Sequence, residues 1–117
     1  MTIRPFEPRD QPAARRLILD GLGEHFGAID ETLNPDLDEI MAHYVRAGHL
    51  FVVAEVNGAL AGTGALKSVA PGAGQLVRMS VRREQRRSGI GQALVEYLLG
   101  AARARGLAPD PVGGWRG

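Results

Sequence analysis

Arg86-Arg87-Ser88-Gly89-Ile90-Gly91 stands between an apolar run, Leu76 to Val81, and a helical pattern that begins near Ile90. A strand that passes through a glycine-containing turn into a helix leaves the first backbone N–H groups of that helix without intrahelical acceptors, at the positive end of the helix dipole. A corner of this kind binds phosphate. Gly89 and Gly91 remove side chains that would block close approach, and Arg86 and Arg87 add charge that favours an anion.

Outward from this corner, the elements alternate. A strand is expected near Thr2 to Phe6, followed by a helix from Gln11 to about His25, with Asp10 as its cap and Pro12 in its first turn. Ala13, Leu17, Ile18 and Leu22 recur at helical spacing and predict its buried stripe, with Arg15 and Arg16 facing water. Asn34-Pro35 with Asp36, Asp38 and Glu39 predicts a second helix that ends at Gly48. His49–Val56 and the run from Ala59 through Val69 flank Asn57-Gly58, a tight hairpin signal. Gly62 and Gly64 mark a bulge or a close approach in the second of these strands. Pro71-Gly72-Ala73-Gly74 breaks the chain before the fourth strand, Gln75 to Val81. Ile90, Ala93, Leu94, Tyr97, Leu98 and Ala101 then form an apolar stripe on a helix reaching Arg105, and Tyr97 reads as core.

Composition removes several function classes. With 117 residues and 44% hydrophobic content, one compact domain over residues 1–107 is expected. Residues 108–117 carry two prolines and paired glycines without alternation, which predicts an irregular tail. No run approaches the ~20 apolar residues that cross a bilayer, and Met1-Thr2-Ile3-Arg4-Pro5 lacks the layout of a signal peptide, so a cytoplasmic protein without membrane contact is expected. The absence of cysteine excludes disulfides, thiolate metal sites and a cysteine nucleophile. No His/Asp/Glu group has metal-ligand spacing, and His43 and His49 read as structural or surface residues.

Lys67 is the only lysine, and Arg78, Arg82, Arg83, Arg86 and Arg87 fall within ten residues of a chain whose net charge is +1. Nucleic-acid modules spread such charge along a face and interleave aromatics for stacking, and none lies in this cluster, so no nucleic-acid partner is expected. Two nucleotide motifs are also excluded. In a G-x-G-x-x-G fingerprint the third glycine would fall at Leu94, and the lysine of a phosphate-binding P-loop has no counterpart in the turn.

The order of elements and the text of the fourth strand resemble one family, the GCN5-related N-acetyltransferases, over roughly Ile3 to Leu107. Its Gln/Arg-x-x-Gly-x-Gly/Ala signature is matched by Arg86, Gly89 and Gly91, and Leu76–Arg82 and Gln92-Ala93-Leu94 also look like the family. The resemblance implies an α/β (α+β) fold with a mixed, mostly antiparallel sheet flanked by helices, here stopping after the helix that follows the fourth strand, without the family's closing strands. It implies acetyl-CoA as co-substrate and no metal. The backbone N–H groups of Arg87, Ser88, Gly89, Ile90, Gly91 and Gln92, beside Arg86, would hold the pyrophosphate of coenzyme A. The main chain of Met79 and Val81 would pair the pantetheine arm, with the Met79 N–H directed at the acetyl carbonyl.

The acceptor implied is a primary amine of a small molecule or peptide, approached through the loop Gly21 to Leu33. Glu24, His25, Glu55 and Ser80 are the candidate bases, and Glu55 is preferred among them. The tyrosine acid that the family takes from a later helix has no counterpart here. An exposed edge on the fourth strand is expected to pair with a second copy. A second reading is a coenzyme A-binding remnant or assembly partner that does not catalyse.

Overall fold

The computed structural model describes residues 1–26, of which 24–26 as backbone, together with 34–111 and 115. One sheet of five strands runs in the order β1 (Thr2–Pro5), β2 (Leu50–Val56), β3 (Ala59–Ala70), β4 (Ala73–Val81) and β5 (Ala108–Pro109). All pairings are antiparallel except that of β4 with β5. Helix α1 (Gln11–Phe26) covers one face and α2 (Ile90–Ala104) the other. This is the mixed, mostly antiparallel architecture that the family resemblance implies.

Strand β2 is buried on both faces, which explains its nearly unbroken apolar text. Phe51 and Val53 join Ile18, Leu19, Leu37, Ile40 and Tyr44 under α1, whereas Val52 and Ala54 join Leu66, Ile90, Leu94 and Leu98 under α2. The β2–β3 hairpin turns through Asn57 at φ 53° and Gly58 at φ 80°, the pair of positive angles a two-residue hairpin needs. Gly62 and Gly64 let α2 lie close to β3. A Cβ on Gly62 would stand 2.9 Å from Leu94 Cδ1, and one on Gly64 would stand 2.8 Å from Met79 Sδ and 2.9 Å from Leu98 Cδ1.

Five expectations are corrected. Asp10 does not cap α1: it ends a 3₁₀ turn (Pro8–Asp10), and its carboxylate turns back to accept from the Glu7 N–H at 2.8 Å and from Arg4 Nη1 and Nη2 at 2.8 and 2.9 Å. A guanidinium fork offers a buried carboxylate more than a single helix amide does. The predicted second helix is instead a 3₁₀ turn (Pro35–Asp38) and a π-helical turn (Met41–Val45), in which Arg46 N–H reaches the Met41 carbonyl and His49 N–H the Tyr44 carbonyl, both at 2.8 Å. The Asn34 oxygen that would have capped a helix and the Asp36 carboxylate that would have stood at its positive end are drawn to Arg78. Gly48, at φ 90°, still closes the segment.

Tyr97 is 40% exposed, and α2 buries Ile90, Leu94, Leu98 and Ala102 instead. On α1, Ala14 is buried and Ala13 is not. Beyond α2, the segment read as an irregular tail pairs in part with the sheet. Ala108 and Pro109 lie parallel to Ala73 and Gly74, Asp110 N–H donates to the Gly74 carbonyl at 3.1 Å, and Leu76 N–H donates to the Trp115 carbonyl at 2.5 Å. Trp115 packs against the α2 core.

Candidate functional site

The site begins with a defect in β4. Ala65 pairs with Val77 and Thr63 with Ser80, so the one residue between them on β3, Gly64, faces two on β4, Arg78 and Met79, and one of these is extra. Arg78, at φ 54°, is that bulge. Val77 packs on the α1 core, Arg78 reaches Asp36 on the same side, and Met79 and Val81 pack on the α2 core. The bulge also decides which amides face outward. Gly74 and Leu76 direct their peptide groups at β5 and Trp115, while Arg82 N–H bonds the Ala61 carbonyl of β3 at 2.7 Å. Alternation back from Arg82 turns Ser80 toward β3 and turns Met79 and Val81 toward the opposite edge, which beyond Leu76 has no strand partner among the described residues.

After β4 the chain makes a 3₁₀ turn (Arg83–Gln85) and then the glycine corner. Arg87 at φ 65° and Gly89 at φ 86° are left-handed, and Gly89 takes the N-cap position of α2. Backbone amides in such a turn converge into a concavity suited to an anion. Among the described residues, the N–H groups of Arg87 through Gln92 have no hydrogen-bond acceptor; the first paired one is Ala93, which donates to the Gly89 carbonyl at 3.0 Å. Among the described residues, outside its own helix backbone, a Cβ on Gly91 would have Val81 Cγ2 at 3.7 Å as its only near neighbour, so that packing does not demand glycine there.

The edge of β4 and the start of α2 line a cleft of about 850 Å³, with Asp36, Tyr44, Lys67, Arg78, Met79 and Gly91 among its walls. That volume lies in the range of small-ligand sites. A groove of about 530 Å³ continues on the α1 side past Gly21, Leu22, Met79, Ser80 and Val81. Arg78, Met79 and Gly91 belong to both.

One polar network stands in the wall of the cleft. Arg78 Nε donates to Asp36 Oδ2 at 2.9 Å, and Nη2 donates to Asp36 Oδ1 at 2.7 Å and to Asn34 Oδ1 at 3.1 Å. Tyr44 O–H donates to Asp36 Oδ2 at 2.6 Å. Burial opposes the charge on Asp36, but the bonds from Arg78 and Tyr44 outweigh it and hold the carboxyl below its ordinary value. Burial and the bond to Asp36 push the Tyr44 phenol up to about 12. Burial works against the Arg78 charge, and its bond to Asp36 more than offsets this, raising the value.

Met79, Gly91 and Gln92 line the cleft and Met79, Val81, Arg86 and Gly91 the groove, with Ser88 and Gly89 in the turn just before Gly91 and Ile90 buried at the start of α2, but the structure sends other candidates elsewhere. Glu55 is held by Arg4, whose Nε lies 2.6 Å from its Oε1, on the β1–β2 side of the sheet and outside the cleft. Arg86 bends back, its Nε 3.2 Å from the Val81 carbonyl, and the Ser88 hydroxyl donates to the Gln85 carbonyl. Ser80 Oγ lies 3.5 Å from the Leu17 carbonyl in the α1-side groove. The side chains of Glu24 and His25, and most of the loop to Leu33, fall outside the described residues. His49 Nδ1 accepts from the Ser68 N–H at 3.1 Å, a structural role, and burial beside Lys67 and Arg105 lowers its pKa. His43 is exposed on the cleft wall.

The network of Asn34, Asp36, Tyr44 and Arg78 escaped the sequence reading, because the first two looked like a helix start and Arg78 like one member of a basic cluster. Among the described residues no group of acids and histidines is arranged to hold a metal, and no helix is long and apolar enough to cross a membrane.

Comparison with known proteins places these features in context. The family model described as Acetyltransferase (GNAT) family matches residues 14–109. An acetyltransferase of the GNAT family from Staphylococcus aureus Mu50 superposes with a TM-score of 0.85 at 23% identity, over 92% of this chain and 69% of that one. A ribosomal-protein-alanine N-acetyltransferase from Brucella melitensis follows with a TM-score of 0.73 at 23% identity, over 92% and 70%. An aminoglycoside 6'-N-acetyltransferase complexed with coenzyme A gives a TM-score of 0.73 at 20% identity, over 92% and 58%. No curated protein matches the sequence.

Proposed function

The chain belongs to the acetyltransferase (GNAT) family, and from that premise we propose that it moves an acetyl group from acetyl-CoA to a primary amine of a small molecule or peptide in the cytoplasm. The observation that carries this reading is the row of corner amides from Arg87 to Gln92, without acceptors among the described residues, beside the open edge of β4: Gly91 and Gln92 line the cleft with Met79, and Gly91 lines the groove with Met79 and Val81. The solved aminoglycoside acetyltransferase, complexed with coenzyme A, supports the choice of co-substrate.

In this reading the corner amides bind the pyrophosphate, and the open space over Gly91 admits it. The Val81 N–H pairs the pantetheine arm as an added strand would; the Val81 carbonyl joins in once Arg86 releases it. Acetyl-CoA supplies the activated thioester. The amine nitrogen bonds to the acetyl carbon, the C–S bond breaks, the sulfur leaves with its electron pair, and the nitrogen gives its proton to a base. The Met79 N–H stabilises the carbonyl oxygen as it gains negative charge, a contact worth about 3 kcal/mol of barrier.

One observation favours the second reading, a coenzyme A-binding module without transfer: Glu55, the preferred base, is engaged by Arg4. Melting of the purified protein with acetyl-CoA, coenzyme A and a control nucleotide tests both readings, since a ligand of the folded state raises Tm by mass action. A rise with the first two alone supports the site, and no rise at millimolar acetyl-CoA overturns it. Thiol release with a panel of amines then separates transfer from binding alone.

A further inference from the structure

Regular pairing would leave no free amide at Met79. Val77 directs its peptide group at β3, so an unbroken ladder would set Met79 opposite Thr63 as the next hydrogen-bonded pair and spend its N–H on β3. The extra residue at Arg78 is what turns that N–H outward. A non-glycine residue in the left-handed region costs about 1–2 kcal/mol and persists where its surroundings over-determine it. Arg78 is over-determined. Its guanidinium is held by three hydrogen bonds from the segment before β2, two to Asp36 and one to Asn34. Its carbonyl, taken off the ladder by the bulge, accepts from Thr63 Oγ1 at 2.8 Å, and Thr63 is fully buried. Asp36 is fixed in turn by Tyr44, whose ring packs edge-on against Phe51 at 5.2 Å in the α1 core.

We infer that Asp36, acting through Arg78 and together with Thr63, is a positioning residue that keeps the bulge formed and so sets the direction of the Met79 N–H at the open edge of β4. The inference rests on the reading of that edge as the thioester site and adds to it the device that builds it. Exposed ion pairs contribute little. This one differs in being bidentate, networked and seated on the residue whose backbone must stay out of register. A clamp that merely tied residues 34–45 to the sheet would lower stability when cut and leave the Met79 amide where it is.

Amide spectra of the ¹⁵N-labelled full chain, titrated with acetyl-CoA, separate these outcomes. In the wild type the Gly89, Gly91 and Met79 resonances are expected to move together. In Asp36→Asn and in Arg78→Lys, which removes the fork while keeping the charge, Gly89 and Gly91 are expected to move with Kd within about threefold of wild type, while the Met79 response falls to a small fraction. Two variants cover the case in which one fails to fold. If Met79 responds as in the wild type, or if all three responses vanish together in a folded variant, the positioning role is overturned. If Gly89 and Gly91 do not move in the wild type, it is the cofactor reading itself that fails.

Discussion

Arg78 and Asp36 form a two-pronged ion pair, 2.9 and 2.7 Å, between residues 42 positions apart in the chain. The pair fastens the irregular segment before β2 to the one residue of β4 that has left the ladder. It also makes the molecule acid-sensitive at a definable place.

A carboxyl whose folded-state pKa is depressed is protonated first in the unfolded chain as pH falls, so acid pulls the equilibrium toward unfolding. Asp36 and Asp10 are both depressed from 3.8, Asp10 because the bonds from Arg4 and the Glu7 N–H overcome its burial. Their contribution is therefore complete above that value and is lost as pH falls through the lower folded-state values. Tm measured from neutral pH downward is expected to slip first below pH 6.5, where the unfolded chain protonates His49 ahead of the folded one, and to drop further below about pH 5, with the second drop shallower in Asp36→Asn.

Gly91→Ala and Gly89→Ala should part company. At Gly91 the added methyl meets ordinary space and helical backbone, so stability is expected to stay level or rise by up to about 0.5–1 kcal/mol, while the Tm increase given by acetyl-CoA shrinks. At Gly89, with φ 86°, the same change is expected to cost about 1–2 kcal/mol. Thermal melts with and without acetyl-CoA check both, and an undiminished ligand shift in Gly91→Ala would count against the phosphate site.

Gly62→Ala pushes on α2. Its Cβ would meet Leu94 at 2.9 Å, Ile90 at 3.1 Å and the Ser80 carbonyl at 3.2 Å, and the last is backbone that cannot rotate away. Overpacking of this kind costs about 1–3 kcal/mol. Urea unfolding is expected to show a lower midpoint with an unchanged slope.

Arg4→Leu removes the cation shared by Asp10 and Glu55. Asp10 is 4% exposed and, among the described residues, keeps one hydrogen bond, from the Glu7 N–H, so a loss of about 2–4 kcal/mol is expected at neutral pH. The loss should shrink in acid, where the stranded carboxylate takes up a proton. A melt at pH 7 and one near pH 4 compare the two.

Local signals made much of this fold readable. Asn57-Gly58, the doubled apolar face of β2 and the stripe Ile90, Leu94, Leu98 each specify their element from neighbours in the chain. The turn from β4 into α2 was equally legible, because the apolar run to Val81, the glycines and the stripe from Ile90 mark a strand, a turn and a helix start in succession. What escaped depends on partners distant in sequence. Alternation alone groups Val77 with Met79 and Val81, whereas the bulge sends Val77 to the α1 core and the other two to the α2 core. Asp10 and Asp36 both sit in helix-start contexts and both answer to an arginine instead. Glu55 shows the same limit from the other side: its residue type suits a base, and only its place beside Arg4 reveals what it is doing.

Trp115 is the chain's single tryptophan, and its ring sits against Gly74 in the cluster that also holds Leu107, while its carbonyl accepts from the Leu76 N–H. The protein therefore carries its own fluorophore at the seam between β4 and the residues that follow α2. Emission wavelength and quencher access at that indole report whether the seam is shut, separately from far-ultraviolet signals that follow the helices, and without any label being introduced.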